Sequence, residues 1–293
     1  MRIDLHTHTN ASDGTDTPTE LMRNAAAAGL DVVAVTDHDT TDAWREAAAA
    51  LPDGMTLIRG MEMSCEGRDE RGRPVAVHLL AYLFDPDHAD LAAERRRLRT
   101  ERATRIRAMA TRMADAGLPI DPQQVLADAG PSAGRPHLAQ ALIRAGVVAS
   151  TDEAFAGPLS ARSPYFVDKV DTPLEDAVAM IAAAGGVSVL AHARAATRGR
   201  LMAVEQIREL AGAGLGGLEV DHPEHGEQDR ALLTRVARDH DLIVTGSSDY
   251  HGRNKTVELG RCTTAPGQLD AIVARASGVG VLVGGAPDAA GRI

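Results

Sequence analysis

Aromatic side chains make up 2% of this 293-residue chain: one Trp, three Tyr and three Phe. A protein that grips long single-stranded RNA by stacking needs more platforms than that. The core must be assembled from Ala, Val, Leu, Ile and Met. Cysteine is scarce too. Cys65 and Cys262 form no Cys-x-x-Cys pair, which excludes a disulfide framework and a thiolate-rich zinc site. Both read as small buried apolar residues, with Cys65, close to Glu62, a weaker candidate metal ligand. No apolar run approaches ~18 residues, and no charged-then-apolar leader opens the chain, so a cytoplasmic protein with no membrane partner is expected. An excess of basic charge is also missing. Lys and Arg number 31 against 41 Asp and Glu, a formal charge of −10. That disfavours a whole-surface grip on a DNA duplex, while a metal cluster can still reverse the field locally and admit an anion.

What is present is an alternation. Helices are expected over 18–28, 41–51, 172–184, 202–211 and 228–240. Apolar runs of strand length are expected over 31–36, 56–61, 74–82, 187–191, 217–220 and 242–246. Strands alternating with helices imply an α/β protein with a mostly parallel sheet. The length allows one barrel with an insertion or two domains. The alternation stops at residue 89. A long helix over 89–116, rich in arginine, is followed by shorter ones over 121–129 and 136–145. Residues 89–166 therefore read as a helical insertion, and 1–88 with 167–283 as the barrel. The tail 284–293, rich in Gly, Ala and Pro, is expected to fray. The arginines between Arg95 and Arg112 read first as a solvated face with charge pairs, and second as guidance for an anionic substrate.

The ends of the strands carry the chemistry. Met1 to Leu5 lead into His6-Thr7-His8, two imidazoles on one face of a strand, with Asp13 in the next loop. The next strand ends in Thr36-Asp37-His38, the third in Glu62, and the fourth contains His78. Later strands end in His192, near His222, and in Ser248-Asp249-Tyr250-His251. In a closed barrel these ends meet in one mouth; an open sheet would spread them along a line. His6, His8, Asp13, His38, Glu62, His78, His192, Asp249 and His251 offer six imidazoles and three carboxylates. That set suits Mn²⁺, Fe²⁺ or Zn²⁺, and its size favours three divalent ions.

The ordered set resembles the PHP (polymerase and histidinol phosphatase) family of the amidohydrolase superfamily. The resemblance implies a distorted (β/α)7 barrel with a trinuclear metal centre. It assigns His6, His8, Glu62 and Asp249 to one ion, Glu62, His78 and His192 to a second, and Asp13, His38 and His251 to a third. Gly134-Arg135-Pro136-His137, with the arginine helix before it and Tyr165 to Lys169 after it, resembles the branch of 3',5'-nucleotide bisphosphate phosphatases and their exoribonuclease relatives. The expected function is hydrolysis of a phosphate monoester of a small nucleotide, foremost the 3'-phosphate of a nucleoside 3',5'-bisphosphate. A short RNA end attacked in the 5'-3' direction, or a histidinol or sugar phosphate, are the alternatives. A non-catalytic metal-binding module is the rival of a different class.

Asp13, His38, Glu62 and Asp249 are catalytic candidates through the metals. His222 is a candidate proton donor or phosphate contact, with His225 near it. Arg135, Lys169 and Arg194 are candidate phosphate clamps. Ser247 and Ser248 read as structural. Tyr165, Phe166 or Tyr250 are candidates to hold one base.

Overall fold

The computed structural model describes residues 1–196 and 199–286. Seven strands lie side by side in the order β1 (Ile3–Asp4), β2 (Val32–Val35), β3 (Thr56–Arg68), β4 (Pro74–Tyr82), β6 (Val187–Leu190), β7 (Gly217–Asp221) and β8 (Ile243–Gly246). Two short strands, β5 (Thr172–Pro173) and β9 (Leu282–Val283), pair with β3. The sheet curls into the nearly closed α/β barrel that the alternation predicts. The continuous apolar runs are what such a wall requires. All four residues of β2 and all four of β6 are buried, since one face looks into the barrel and the other into the helices.

The distortion has a local cause. β3 and β4 are joined by a turn too short for a crossover helix, so they must run antiparallel. The Asp69 carboxylate makes that turn by accepting the backbone N–H groups of Arg71 and Arg73, each at 2.9 Å. β4 then also runs antiparallel to β6, while the pairs β1–β2–β3 and β6–β7–β8 are parallel.

The seam between β1 and β8 is closed by other means. His8 N–H binds the Tyr250 carbonyl (2.8 Å) and Thr264 N–H that of Ile3 (2.9 Å). The buried Asp4 carboxylate accepts N–H groups from Ser248 (3.1 Å) and Gly260 (2.8 Å). One side chain thereby joins the two segments that carry His6 and Asp249.

The outer layer holds α1 (Pro18–Ala27), α2 (Trp44–Ala49), α7 (Leu174–Ala183), α8 (Val204–Gly212), α9 (Glu227–Asp239) and α10 (Pro266–Arg275). α1 starts at a capping box made by Thr17 and Glu20. α2 is shorter than the expected 41–51 and has no side-chain cap. Trp44 opens it, lies against Phe84 (5.2 Å between ring centres) and donates its indole N–H to Gly60 O (2.8 Å). Gly284 binds Met55 O and Gly54 N–H, so the C-terminal segment is pinned where the sequence suggests fraying would begin. Residues 287–293 of the expected tail lie outside the described residues.

Between β4 and β5 run α3 (Ala89–Asp115), α4 (Pro122–Asp128), α5 (Arg135–Arg144) and α6 (Thr151–Ala156). α3 belongs to two cores. Leu91 and Leu98 pack into the barrel cluster, while Ile106, Met109 and Met113 join Leu138, Leu142 and Leu159 in a separate one. Its arginines form a solvated face only in part: Arg96 and Arg107 are exposed, and Arg97 pairs with Glu94 (2.6 Å). Arg95 and Arg102 are buried. Arg97, Arg105 and Arg112 donate to the carbonyls of Val170, Val167 and Phe166. A returning strand of chain without regular structure needs donors for its carbonyls, and the helix supplies them.

Candidate metal centre

Each strand end contributes in a way its register dictates. Ile3 and Leu5 pack in the barrel interior, the regular strand ends at Asp4, and past that end the chain leaves strict alternation and brings His6 and His8 together at the mouth. Ser64 faces His78 across the β3–β4 ladder, so His78 sits diagonally from Glu62 on the same face. His38, His192 and the Asp249–His251 turn follow the ends of β2, β6 and β8. Asp39, His192 and Asp249 have positive φ of 54°, 28° and 54°, so the chain turns sharply at three of these exits. Gly252 has φ +62°, and a Cβ there would lie 2.0 Å from Thr15 Oγ1; only glycine lets the loops bearing His251 and Asp13 close together.

The nine expected ligands gather around Glu62. Its Oε1 lies 2.9 Å from His78 Nδ1 and 2.8 Å from His192 Nε2. Its Oε2 lies 3.2 Å from His6 Nε2, 3.1 Å from His8 Nε2 and 3.1 Å from His38 Nδ1. Asp249 Oδ1 is 3.5 Å from both His6 Nε2 and His8 Nε2, and those two nitrogens are 3.1 Å apart. Asp13 meets His38 at 3.5 Å and His251 at 3.3 Å. Among the described residues, three groups have donor atoms within 4.8 Å of one another. They are His6, His8, Glu62 and Asp249; His8, Asp13, His38 and His251; and His38, Glu62 and His78. The resemblance places His192 with Glu62 and His78; in the structure His192 touches Glu62 Oε1, while the third donor grouped with Glu62 and His78 is His38.

These groups fit metal ions. Four donors around a tetrahedral ion with bonds of about 2.0–2.1 Å stand about 3.3–3.4 Å apart. The edges from His6 and His8 to each other, to Glu62 and to Asp249 run from 3.1 to 3.5 Å. His38 Nδ1 is buried 3.1 Å from Glu62 yet lacks hydrogen-bond geometry to it. One carboxylate surrounded by five imidazole nitrogens is more donor density than hydrogen bonds alone can use.

The electrostatics say the same. Burial opposes charge on His6, but Glu62, Glu219 and Asp249 outweigh it and hold the ring well above its ordinary value. His8 rises to about 9 against burial, drawn by Asp249 and Glu62. Burial would raise Glu62 and Asp13, yet the surrounding imidazoles hold both well below the usual carboxylate range. The pocket demands positive charge, met by protons on the imidazoles or by divalent cations in their place. Burial keeps His38 and His251 low, so both present neutral, ligand-ready rings.

Other anticipated residues fall in different places. His222 is buried; its Nδ1 accepts Glu224 N–H (3.1 Å), which puts its proton on Nε2, 3.4 Å from Asp249 Oδ2. His225 does not reach the mouth: Nδ1 binds Val220 O (2.9 Å) and Nε2 accepts Arg194 N–H (3.2 Å). The Arg194 guanidinium turns to Asp229 (3.2 Å) and Met202 O (3.4 Å). Lys169 pairs with Asp171. Arg135 lies over the rings of Phe155 (5.0 Å) and Phe166 (5.9 Å) and meets Leu159 O (3.3 Å). Tyr165 packs with the insertion cluster, and the Tyr250 hydroxyl donates to Asp16 (2.8 Å). Ser247 and Ser248 are buried in backbone roles.

The sequence reading missed several groups. Glu219 accepts the His6 ring N–H (3.1 Å) and His192 N–H (2.8 Å), and despite burial its pKa falls to about 2 beside His6. A carboxylate inside an otherwise apolar strand was its signal. Lys255 donates to Asp249 Oδ2. Ser132 Oγ is buried without a hydrogen-bond partner at the approach to α5.

Known proteins resemble this chain in sequence and fold. The profile of the PHP domain matches residues 4–119. A 3',5'-nucleoside bisphosphate phosphatase of Chromobacterium violaceum is 34% identical over 253 residues, 85% of this chain and 87% of that one. A 5'-3' exoribonuclease of Haemophilus influenzae is 32% identical, over 89% and 93% of the two chains. The solved structure of a candidate metal-dependent phosphoesterase from Bifidobacterium adolescentis superposes with a TM-score of 0.87 at 37% identity, covering 94% and 96%. With its ligand-bearing strand ends gathered in one mouth, this chain belongs to the PHP family of metal-dependent phosphoesterases.

Proposed function

We propose that this protein removes a phosphate from a small nucleotide, foremost the 3'-phosphate of a nucleoside 3',5'-bisphosphate, leaving the nucleoside 5'-monophosphate. The observation that carries the reading is a cationic wall beside the acid-rich centre. Arg105 and Arg135 are largely buried, and among the described residues neither forms an ion pair. Burial, with Arg135 close by, brings Arg105 down to about 10. Buried cations without carboxylates suit an anionic ligand. A substrate with two phosphates has one for the metals and one for this wall.

His6, His8, Glu62 and Asp249 would hold one ion, Glu62, His78 and His192 a second, and Asp13, His38 and His251 a third. Manganese, iron or zinc fits these donors. Bound there, divalent ions supply a water of lowered pKa and positive charge for the phosphoryl oxygens. Arg135, Lys169 and Ser132 would grip the second phosphate under the helical insertion, which acts as a substrate cap. Arg194 would join them only by leaving Asp229. His222 carries its proton on Nε2 and would donate it in a hydrogen bond to a phosphoryl oxygen; to protonate the leaving oxygen it would first need a second proton on Nδ1 in place of the Glu224 N–H. Glu219 holds His6 in the tautomer whose Nε2 is free to ligate.

Phosphate release by the Mn²⁺-loaded protein tests the reading. Adenosine 3',5'-bisphosphate is compared with histidinol phosphate and a 5'-phosphorylated RNA oligomer. Fastest release from the bisphosphate, with AMP as product, is expected. A preference for the RNA would move the assignment to an exoribonuclease. Silence on all three with metal bound would overturn it.

A further inference from the structure

Asp13, His38 and His251 come from three separate loops, and each loop is tied to the insertion. Directly after His38, Asp39 receives the guanidinium of Arg102 from α3. Arg102 is 7% exposed and also donates to Ser64 Oγ (2.7 Å). Ser64 in turn donates its N–H (2.7 Å) and hydroxyl (2.8 Å) to the two oxygens of Asp39. Three residues after His251, Asn254 accepts from Gln140 of α5 (2.9 Å) and donates to the carbonyl of Asp13 (2.8 Å). The His137 side chain of α5 lies beside the backbone of Ser12, the neighbour of Asp13. The His6, His8, Glu62 and Asp249 group is braced differently, by Glu219 and by the Asp4 clasp of the barrel itself.

We propose that the helical insertion builds the Asp13–His38–His251 group, with Arg102 and Gln140 as positioning residues, so that filling this group is coupled to the seating of the insertion. The inference rests on the metal-dependent reading above. Asp39 is held in a left-handed conformation immediately beyond a ligand, and such a conformation persists only where its surroundings over-determine it. Without Arg102 the buried Asp39 carboxylate loses its charge partner, and the loop that aims His38 loses its brace. Gln140 acts more gently, through one amide relay to the Asp13 backbone. Coupling of this kind is reciprocal: an ion in the group must also favour the docked insertion.

The test strips the full-length protein of metal and titrates it with Mn²⁺, reading free Mn²⁺ by electron paramagnetic resonance. Arg102→Met and Gln140→Ala are compared with the wild type. In Arg102→Met one equivalent should weaken by about tenfold or more while the others keep their affinity. In Gln140→Ala the same equivalent should weaken less. Limited proteolysis gives a second readout, since saturating Mn²⁺ should protect the 116–165 region in the wild type and fail to do so in Arg102→Met. Unchanged binding of every equivalent in folded variants overturns the proposal, as does equal weakening of all of them. If Arg102→Met does not fold, Gln140→Ala and Asn254→Ala decide by the same criterion. A wild type that binds no Mn²⁺ overturns instead the metal reading on which the proposal stands.

Discussion

The barrel mouth and the arginine wall of the insertion are opposite in kind. At the mouth, imidazoles crowd one buried carboxylate, and the acids are strong enough to lift His8 to about 9. On the wall, Arg105 and Arg135 are largely buried against carbonyl oxygens and phenyl rings. At the mouth Lys255 answers only part of the acid charge, and among the described residues Arg105 and Arg135 form no ion pair. Neither is completed by the polypeptide, and an uncompensated buried charge costs several kcal/mol. In the proposed function, a phosphate ester arriving with divalent ions would neutralise both at once. The difference teaches that the two halves are specified separately, one by strand ends and one by helices, and are joined by a few direct braces such as Arg102 to Asp39 and Gln140 to Asn254.

The comparison breaks most completely if the mouth is emptied. Asp13→Ala or His192→Ala should lower turnover by on the order of 10³-fold or more, about 4 kcal/mol in barrier. Steady-state phosphate release checks this, and full activity in either variant would sink the trinuclear mechanism. Glu219→Gln keeps every ligand but weakens the His6 brace. It should cost about 10–100-fold in metal affinity, measured by chelator competition. Arg135→Ala strips the wall alone. It should raise KM by about tenfold or more with little change in kcat, because a charge-assisted bond of about 1.5–3 kcal/mol is lost from binding.

The gentlest probe is pH on the metal-stripped protein. His8 is raised when folded, so its stabilising proton is fully present below the unfolded value near 6.5 and is lost as pH rises through about 9. The melting temperature of the stripped protein should therefore fall across that window, and metal should restore it. A flat profile would show that the mouth tolerates its acids without a cation.

Much of the mouth was legible in the sequence, because a strand that runs from apolar residues into a histidine betrays both its direction and its end. The runs at 31–36, 187–191 and 242–246 placed three ligand-bearing exits within a residue or two. Relations between distant residues were not legible. Nothing near Glu219 says that its carboxylate will meet His6. The relay from Gln140 through Asn254 to Asp13 joins positions whose spacing in the chain carries no pattern. The same holds for Arg97, Arg105 and Arg112, which read as surface charge until the returning chain at 166–170 is seen beneath them. α10 and β9 had no ligand to draw attention to them and went unread.

The scarcity of aromatic residues has a practical reward. Trp44 is the only tryptophan in the sequence, so the emission of the protein excited at the indole edge comes from one place. Its ring N–H is bonded to the carbonyl of Gly60, two residues before Glu62 on the same strand. Any settling of that strand as the centre fills alters the hydrogen bond and the polarity around the indole. The chain therefore carries its own optical gauge of metal loading, readable without a label and without turnover.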